Sequence, residues 1–174
     1  MIRDLLLAEH SKAQCNRIVK YVGTNQQRFD ELFQLFLSDE YRVVQRAAWP
    51  VSYTVIAQPQ LIKKHFDRLI KNLTKPNLHN AVKRNSLRLL QEIPIPKRYH
   101  GILMDVCFQY IATPAEAIAV KAFSLTVLQN LSDQYPEIIP EIKLLIEEYY
   151  DRETPAFKSR AKQFLQKIAN KKKL

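Results

Sequence analysis

A chain of 174 residues with 47% hydrophobic and 25% charged side chains is long enough to bury a sizeable core and too apolar to stay disordered. Only two glycines occur, which excludes a glycine-rich phosphate loop and disfavours a fold built on many tight β-turns. Twenty-seven Lys and Arg against 17 Asp and Glu leave a net charge of +10, a balance that favours an anionic partner: nucleic acid, an acidic protein or a membrane surface.

Residues 3–9 read as a short entry helix. Ser11 to Val22 follows with Cys15, Ile18, Val19 and Val22 on one stripe, closed by Gly23 and followed by a cap at Thr24-Asn25. Gln26 to Leu37 is amphipathic, with Phe29, Leu32, Phe33, Phe36 and Leu37 sharing a face. Ser38-Asp39 is expected to cap the next helix, which carries Val43, Val44, Ala47, Ala48, Val51 and Val55 and has Pro50 inside it, where a kink is expected. Pro59 opens a helix over Gln60 to Leu73, Thr74 to Asn80 forms a loop, and Ala81 to Ile93 is the next helix. After Pro94-Ile95-Pro96 comes a helix from Tyr99 to Ile111. Thr113-Pro114-Ala115-Glu116 has the cap, first-turn proline and acid of a helix start, giving a helix from there to about Asp133. Pro136 or Pro140 starts a helix that ends near Tyr150. Thr154-Pro155 caps the last, from about Ala156 to Asn170, and residues 170–174 form a frayed basic tail.

The segments repeat. Val82, Lys83, Arg84, Leu89, Leu90 and Ile93 recur 38 residues earlier as Val44, Gln45, Arg46, Val51, Ser52 and Val55, and 38 residues later as Val120, Lys121, Ala122, Val127, Leu128 and Leu131. Phe157, Lys158, Ser159, Phe164, Leu165 and Ile168 continue the series 37 residues further on. The alternate helices keep the same step: Phe66, Ile70 and Leu73 map onto Met104, Phe108 and Ile111, and then onto Ile142, Ile146 and Tyr149. A fixed period holding two helices is the mark of a helical repeat array. The expected fold is all-α, an α-α superhelix of about four to five antiparallel helix pairs forming one domain over residues 1–174.

This two-helix unit, with its Val82-Lys83-Arg84 pattern and prolines at unit starts, resembles HEAT or HEAT-like armadillo repeats over about residues 10–170. The resemblance implies that the second helix of each pair lines the concave side of the stack. On that placement Gln45, Lys83, Lys121 and Lys158 form one column, with Arg46, Arg84, Ala122 and Ser159 beside it and Arg88 one turn from Arg84. Arg17, Lys20 and Arg42 extend it towards the N-terminus. Adjacent packed helices lie roughly 8–10 Å apart, so three lysines in a column would make a basic ladder for a polyanion, either nucleic acid or an acidic protein segment. The competing arrangement has these lysines paired with Asp and Glu of neighbouring repeats.

Trp49, the one tryptophan, stands among these residues with Tyr53 a turn later. The resemblance extends to HEAT-like DNA glycosylases of the alkylation-repair family, which use aromatics on the concave face with a catalytic Asp; no Asp stands near Trp49 on its helix. The expected function is therefore a non-enzymatic binding scaffold with a basic concave surface formed by Arg46, Trp49, Lys83, Arg84, Arg88, Lys121 and Lys158. Its expected partner is a protein or acidic peptide, with a DNA-binding or DNA-repair role as the alternative. The four histidines are scattered, which points to no metal site, and no cofactor is expected. Cys15 and Cys107 read as free buried thiols, no leader precedes a cleavage site, and no apolar run approaches a membrane span. A cytoplasmic monomer is the corresponding expectation.

Overall fold

The computed structural model describes residues 1–171, and these form ten α-helices and no strand. They are α1 (Ile2–Ala8), α2 (Lys12–Val22), α3 (Gln26–Phe36), α4 (Tyr41–Ala57), α5 (Phe66–Leu73), α6 (Asn80–Leu90), α7 (His100–Ala112), α8 (Ile118–Leu131), α9 (Ile139–Tyr149) and α10 (Pro155–Lys171). Helix α10 takes in the first residues of the expected tail, and residues 172–174 lie outside the described residues. Two compact units are formed, one ending at Pro94 and the other beginning at Ile95.

Several local signals act as the sequence indicates. The Ser11 hydroxyl accepts from the Gln14 N–H at 3.1 Å and starts α2. Gly23 closes that helix at φ +52°, with its N–H bonded to the Val19 carbonyl. A side chain there would be strained, which is why glycine ends the helix. Asn25 caps α3 through the Arg28 N–H. Pro50 lies buried inside α4, which runs through it without interruption.

Others act differently. The Ser38 hydroxyl donates back to the Leu35 carbonyl and finishes α3, while α4 starts from Glu40 with no side-chain cap. Thr113 likewise closes α7 by donating to the Gln109 carbonyl, and α8 begins only at Ile118. A helix starting at Pro114 would leave almost no chain with which to reverse direction, and helix–helix connections usually need 2–8 residues. The segment after Pro59 starts as a 3₁₀ turn, Pro59–His65, before α5. Pro136 also opens a 3₁₀ turn, and Pro140 falls in the first turn of α9.

In the N-terminal unit α4 is the central element, packed against α1, α2, α3 and α6. Phe29, Phe33 and Phe36 project at i, i+4 and i+7 from α3 and are fully buried, as are Val43, Ala47, Val51 and Val55 of α4. Truncating one such phenylalanine to alanine costs about 3–5 kcal/mol. His65 completes this core, its ring 4.5 Å from that of Phe33 and its Nε2 donating to the Asp30 carboxylate at 2.7 Å. Burial pushes the Asp30 carboxyl up. Hydrogen bonds from Lys64, Gln26 and His65, with the Lys64 charge, outweigh burial and hold it down at about 2.

In the C-terminal unit α8 packs against α7 and α10, and Phe157 and Phe164 of α10 are buried with Val120, Val127 and Leu128 of α8. His100 donates Nε2–H to the Ile95 carbonyl, so its Nδ1 accepts from the Tyr135 hydroxyl. Both cysteines are free and buried. Burial pushes the Cys15 thiol up to about 11 and the Cys107 thiol to about 12, which keeps both from acting as thiolate nucleophiles near neutrality.

Candidate functional site

The N-terminal unit opens a groove of about 310 Å³ between α4 and α6, walled by Gln45, Trp49 and Tyr53 on one side and Arg84, Asn85 and Arg88 on the other, with His10 at its edge. The spacing explains the walls. Gln45, Trp49 and Tyr53 stand at i, i+4 and i+8 of α4, and Arg84 and Arg88 at i and i+4 of α6, so each set forms one stripe. The opposite face of each helix is apolar and buried: Val43, Ala47 and Val51 on α4; Val82, Leu89 and Leu90 on α6.

Each wall is held in place. Asn85 is 1% exposed; its amide donates to the Ala81 carbonyl and its carbonyl oxygen accepts from the Arg88 guanidinium at 3.3 Å. A buried amide thus helps to position Arg88. Trp49 and Tyr53 meet edge to face with ring centroids 6.0 Å apart, and His10 meets Trp49 in the same manner at 6.2 Å. The Lys12 ammonium, from the first turn of α2, sits 3.6 Å from the Tyr53 ring centroid and 5.3 Å from that of Trp49.

The groove is electropositive. The groups that line it are neutral or cationic, and no carboxylate is among them. The Lys12 ammonium and the Trp49 indole N–H beside the phenol hold the Tyr53 pKa below its ordinary value, with Arg88 adding to the effect. The indole N–H reaches the neighbourhood of the phenol without the alignment of a hydrogen bond and is buried with no partner. Arg84 is exposed and has no ion pair or hydrogen bond among the described residues.

Of the residues expected at a binding surface, Trp49, Arg84 and Arg88 meet here. Lys83 is half-buried next to Arg84, engages a neighbour and does not line the groove. Arg46 turns to α1, donating to the Leu6 and Leu7 carbonyls at 3.0 and 2.8 Å, and so caps the C-terminus of that helix. Lys121 requires a correction. It is 4% exposed, and its ammonium is 2.7 Å from the Glu153 carboxylate, a pair closed off from solvent. The position that is half-open on α6 is sealed on α8 because Glu153 and Tyr149 come over it, the Tyr149 ring 5.6 Å from the ammonium. Lys158 is half-buried, donating to the Asp151 carbonyl at 3.3 Å with its ammonium 5.3 Å from the Tyr150 ring. Arg17 lies along α2 and bonds Gln14, and neither Lys20 nor Arg42 lines the groove.

Sequence reasoning missed His10, Lys12 and Asn85. His10 and Lys12 stand at the join between α1 and α2, outside the repeating columns. Asn85 was legible only as a polar residue falling within the apolar stripe of α6.

Helical pairs packed around a central helix at a fixed period define a helical-repeat protein. The sequence matches the HEAT repeat domain family over residues 2–168, and the chain belongs to that family. Comparison with curated proteins and with solved structures gives no match. HEAT repeats are in general scaffolds for protein interaction. No helix among the described residues is long and apolar enough to cross a membrane.

Proposed function

We propose that this protein is a binding scaffold that docks an acidic segment of a protein partner in the groove between α4 and α6. The observation that carries the reading is that Arg84 and Arg88 line one aromatic-walled groove with no carboxylate in its lining, and that Lys12 sits against its Tyr53 and Trp49 rings. Cations held on a helical frame attract and orient an anionic ligand at little cost in reorganisation. The alkylation-repair alternative gains less support. Lys12 covers the Tyr53 ring, so a base finds less open aromatic face to stack on, and the groove lining offers no acid for base excision.

The test is capture of partners by the wild-type chain and by an Arg84→Glu/Arg88→Glu double variant, each with and without nuclease. A protein partner that survives nuclease and is lost with the double variant is the expected result. Partners held equally by both chains would move the docking surface elsewhere, and partners released by nuclease would turn the reading towards nucleic acid.

A further inference from the structure

We propose that the cleft between the α3–α4 turn and the α5–α6 loop is a binding site for a carboxamide, the end of a Gln or Asn side chain on a partner protein. It shares no lining residue with the groove of Arg84 and Arg88, so it does not rest on that reading. The cleft holds about 260 Å³ and stands at the N-terminal ends of α4 and α6. Phe36, Val44 and Val82 are buried and give it an apolar floor, while Asp39, Tyr41, Lys75 and Pro76 are exposed and form its rim.

Asn72 of α5 is the exception on that floor. It is 6% exposed, and its side-chain amide has no hydrogen-bond partner among the described residues. Neither amide atom is sealed from solvent, so the group opens into the cleft that it lines. The polar groups beside it offer a ligand nothing. The Ser38 hydroxyl already donates to the Leu35 carbonyl. His79 accepts the Ala81 N–H on Nδ1, which leaves its proton on an Nε2 closed off from solvent. Burial holds the His79 pKa below its ordinary value, so this ring is uncharged at neutral pH. Asp39 and Lys75 bring one acid and one base to the rim, so the cleft has no net charge.

The Asn72 amide needs an acceptor for its N–H and a donor for its oxygen. A carboxylate would serve the N–H but set its second oxygen against Oδ1, and an ammonium would do the reverse. An apolar side chain would cover the amide and leave it unpaired, at a cost in free energy. A main-chain peptide group is trans, so its N–H and C=O point opposite ways and only one of them reaches the amide. A carboxamide carries donor and acceptor side by side on one planar group and closes two parallel hydrogen bonds with Asn72. Its stem rests on Phe36 and Val82 and passes the Tyr41 ring, which is 4.3 Å from that of His79. A nucleotide would bring its phosphate past Asp39 with a single lysine to offset it, whereas HEAT repeats are in general scaffolds for protein interaction. The position one period on carries Tyr110, so the amide belongs to this cleft and not to the repeat in general.

The full chain, isotopically labelled for amide NMR, is titrated with the blocked tripeptide Ala-Gln-Ala, with counterparts carrying Asn, Glu, Met or Lys at the centre, and with adenosine. The Asn72 side-chain signal is assigned by its loss in Asn72→Leu. Gln and Asn peptides are expected to shift that signal and to bind at least about tenfold more tightly than the Glu, Met and Lys peptides. Asn72→Leu is expected to erase this preference and to favour the Met peptide. If that variant does not fold, the order of the peptides on the wild-type chain decides alone. Equal affinity for Gln and Met peptides, or an Asn72 signal that no peptide moves, would overturn the proposal. Adenosine binding more tightly than the Gln peptide would reassign the cleft to a nucleobase. Arg84→Glu/Arg88→Glu is expected to bind the Gln peptide as the wild type does, and a loss there would overturn the separation of the two sites.

Discussion

The two units treat the same repeat pattern in opposite ways. Residues 1–94 hold 15 Lys and Arg against 8 Asp and Glu, a net of +7, whereas residues 95–174 hold 12 against 9, a net of +3. In the N-terminal unit Arg84 and Arg88 wall an open groove, while Arg46 and Lys83 engage their neighbours. In the C-terminal unit they are engaged with their own neighbours: Lys121 with Glu153, Lys158 with the Asp151 carbonyl, Arg160 with the Thr126 hydroxyl and Lys167 with Asp133. A basic residue at a given register position is therefore not by itself a binding residue. What decides its role is whether the packed neighbours engage it: Lys121 and Lys167 meet acids, Lys158 and Arg160 meet neutral oxygens, and Arg84 stands exposed at the groove with no ion pair or hydrogen bond among the described residues.

The largest effect should come from breaking the sealed pair. Lys121→Ala or Glu153→Ala is expected to destabilise the fold by about 3–5 kcal/mol, because each leaves an uncompensated buried charge. Arg84→Ala, an exposed side chain, should change stability by no more than about 0.5 kcal/mol. Urea denaturation compares them directly, and equal costs would erase the contrast between the units.

A smaller loss is expected at Arg46. Arg46→Met keeps the apolar stem but gives up two charge-assisted bonds to the α1 carbonyls, at a cost of about 1.5–3 kcal/mol. Hydrogen exchange should show the loss concentrated in α1, while ligand titration of the groove stays within about twofold. A matching loss of groove affinity would mean that Arg46 acts on the ligand after all.

Acid sharpens the comparison differently. The folded Asp30 carboxyl lies near 2, below its ordinary 3.8, so the folded state binds the proton less readily than the unfolded chain. Its contribution is complete above about pH 4 and is lost as pH falls towards 2. Asp30→Asn should flatten this part of the stability–pH curve, and a slope unchanged by that variant would assign it to other carboxylates.

The smallest effect is spectroscopic. Tyr53 titrates below its ordinary value chiefly because of Lys12 and Trp49, so Lys12→Met should raise it with little change in stability. A difference titration of tyrosine absorbance against Tyr53→Phe isolates that group. No upward movement in Lys12→Met would separate Lys12 from the phenol.

The sequence by itself determined the repeat: a 37–38-residue period, two amphipathic helices in each, the caps at Asn25 and Thr154, and the Gly23 stop. These are legible because helical periodicity and capping depend on residues within one or two turns of each other. Tertiary structure alone decided where each cation went. Lys83 and Lys121 are 38 residues apart in a matching pattern, yet one stays half-open and the other is sealed by a glutamate 32 residues further along. It also placed Lys12 of α2 over Tyr53 of α4, and held Thr113 back as the end of α7 where its local signature announced a start. Charge pairing and chain reversal are set by what packs alongside, and that information is spread over residues too distant for any local pattern to carry.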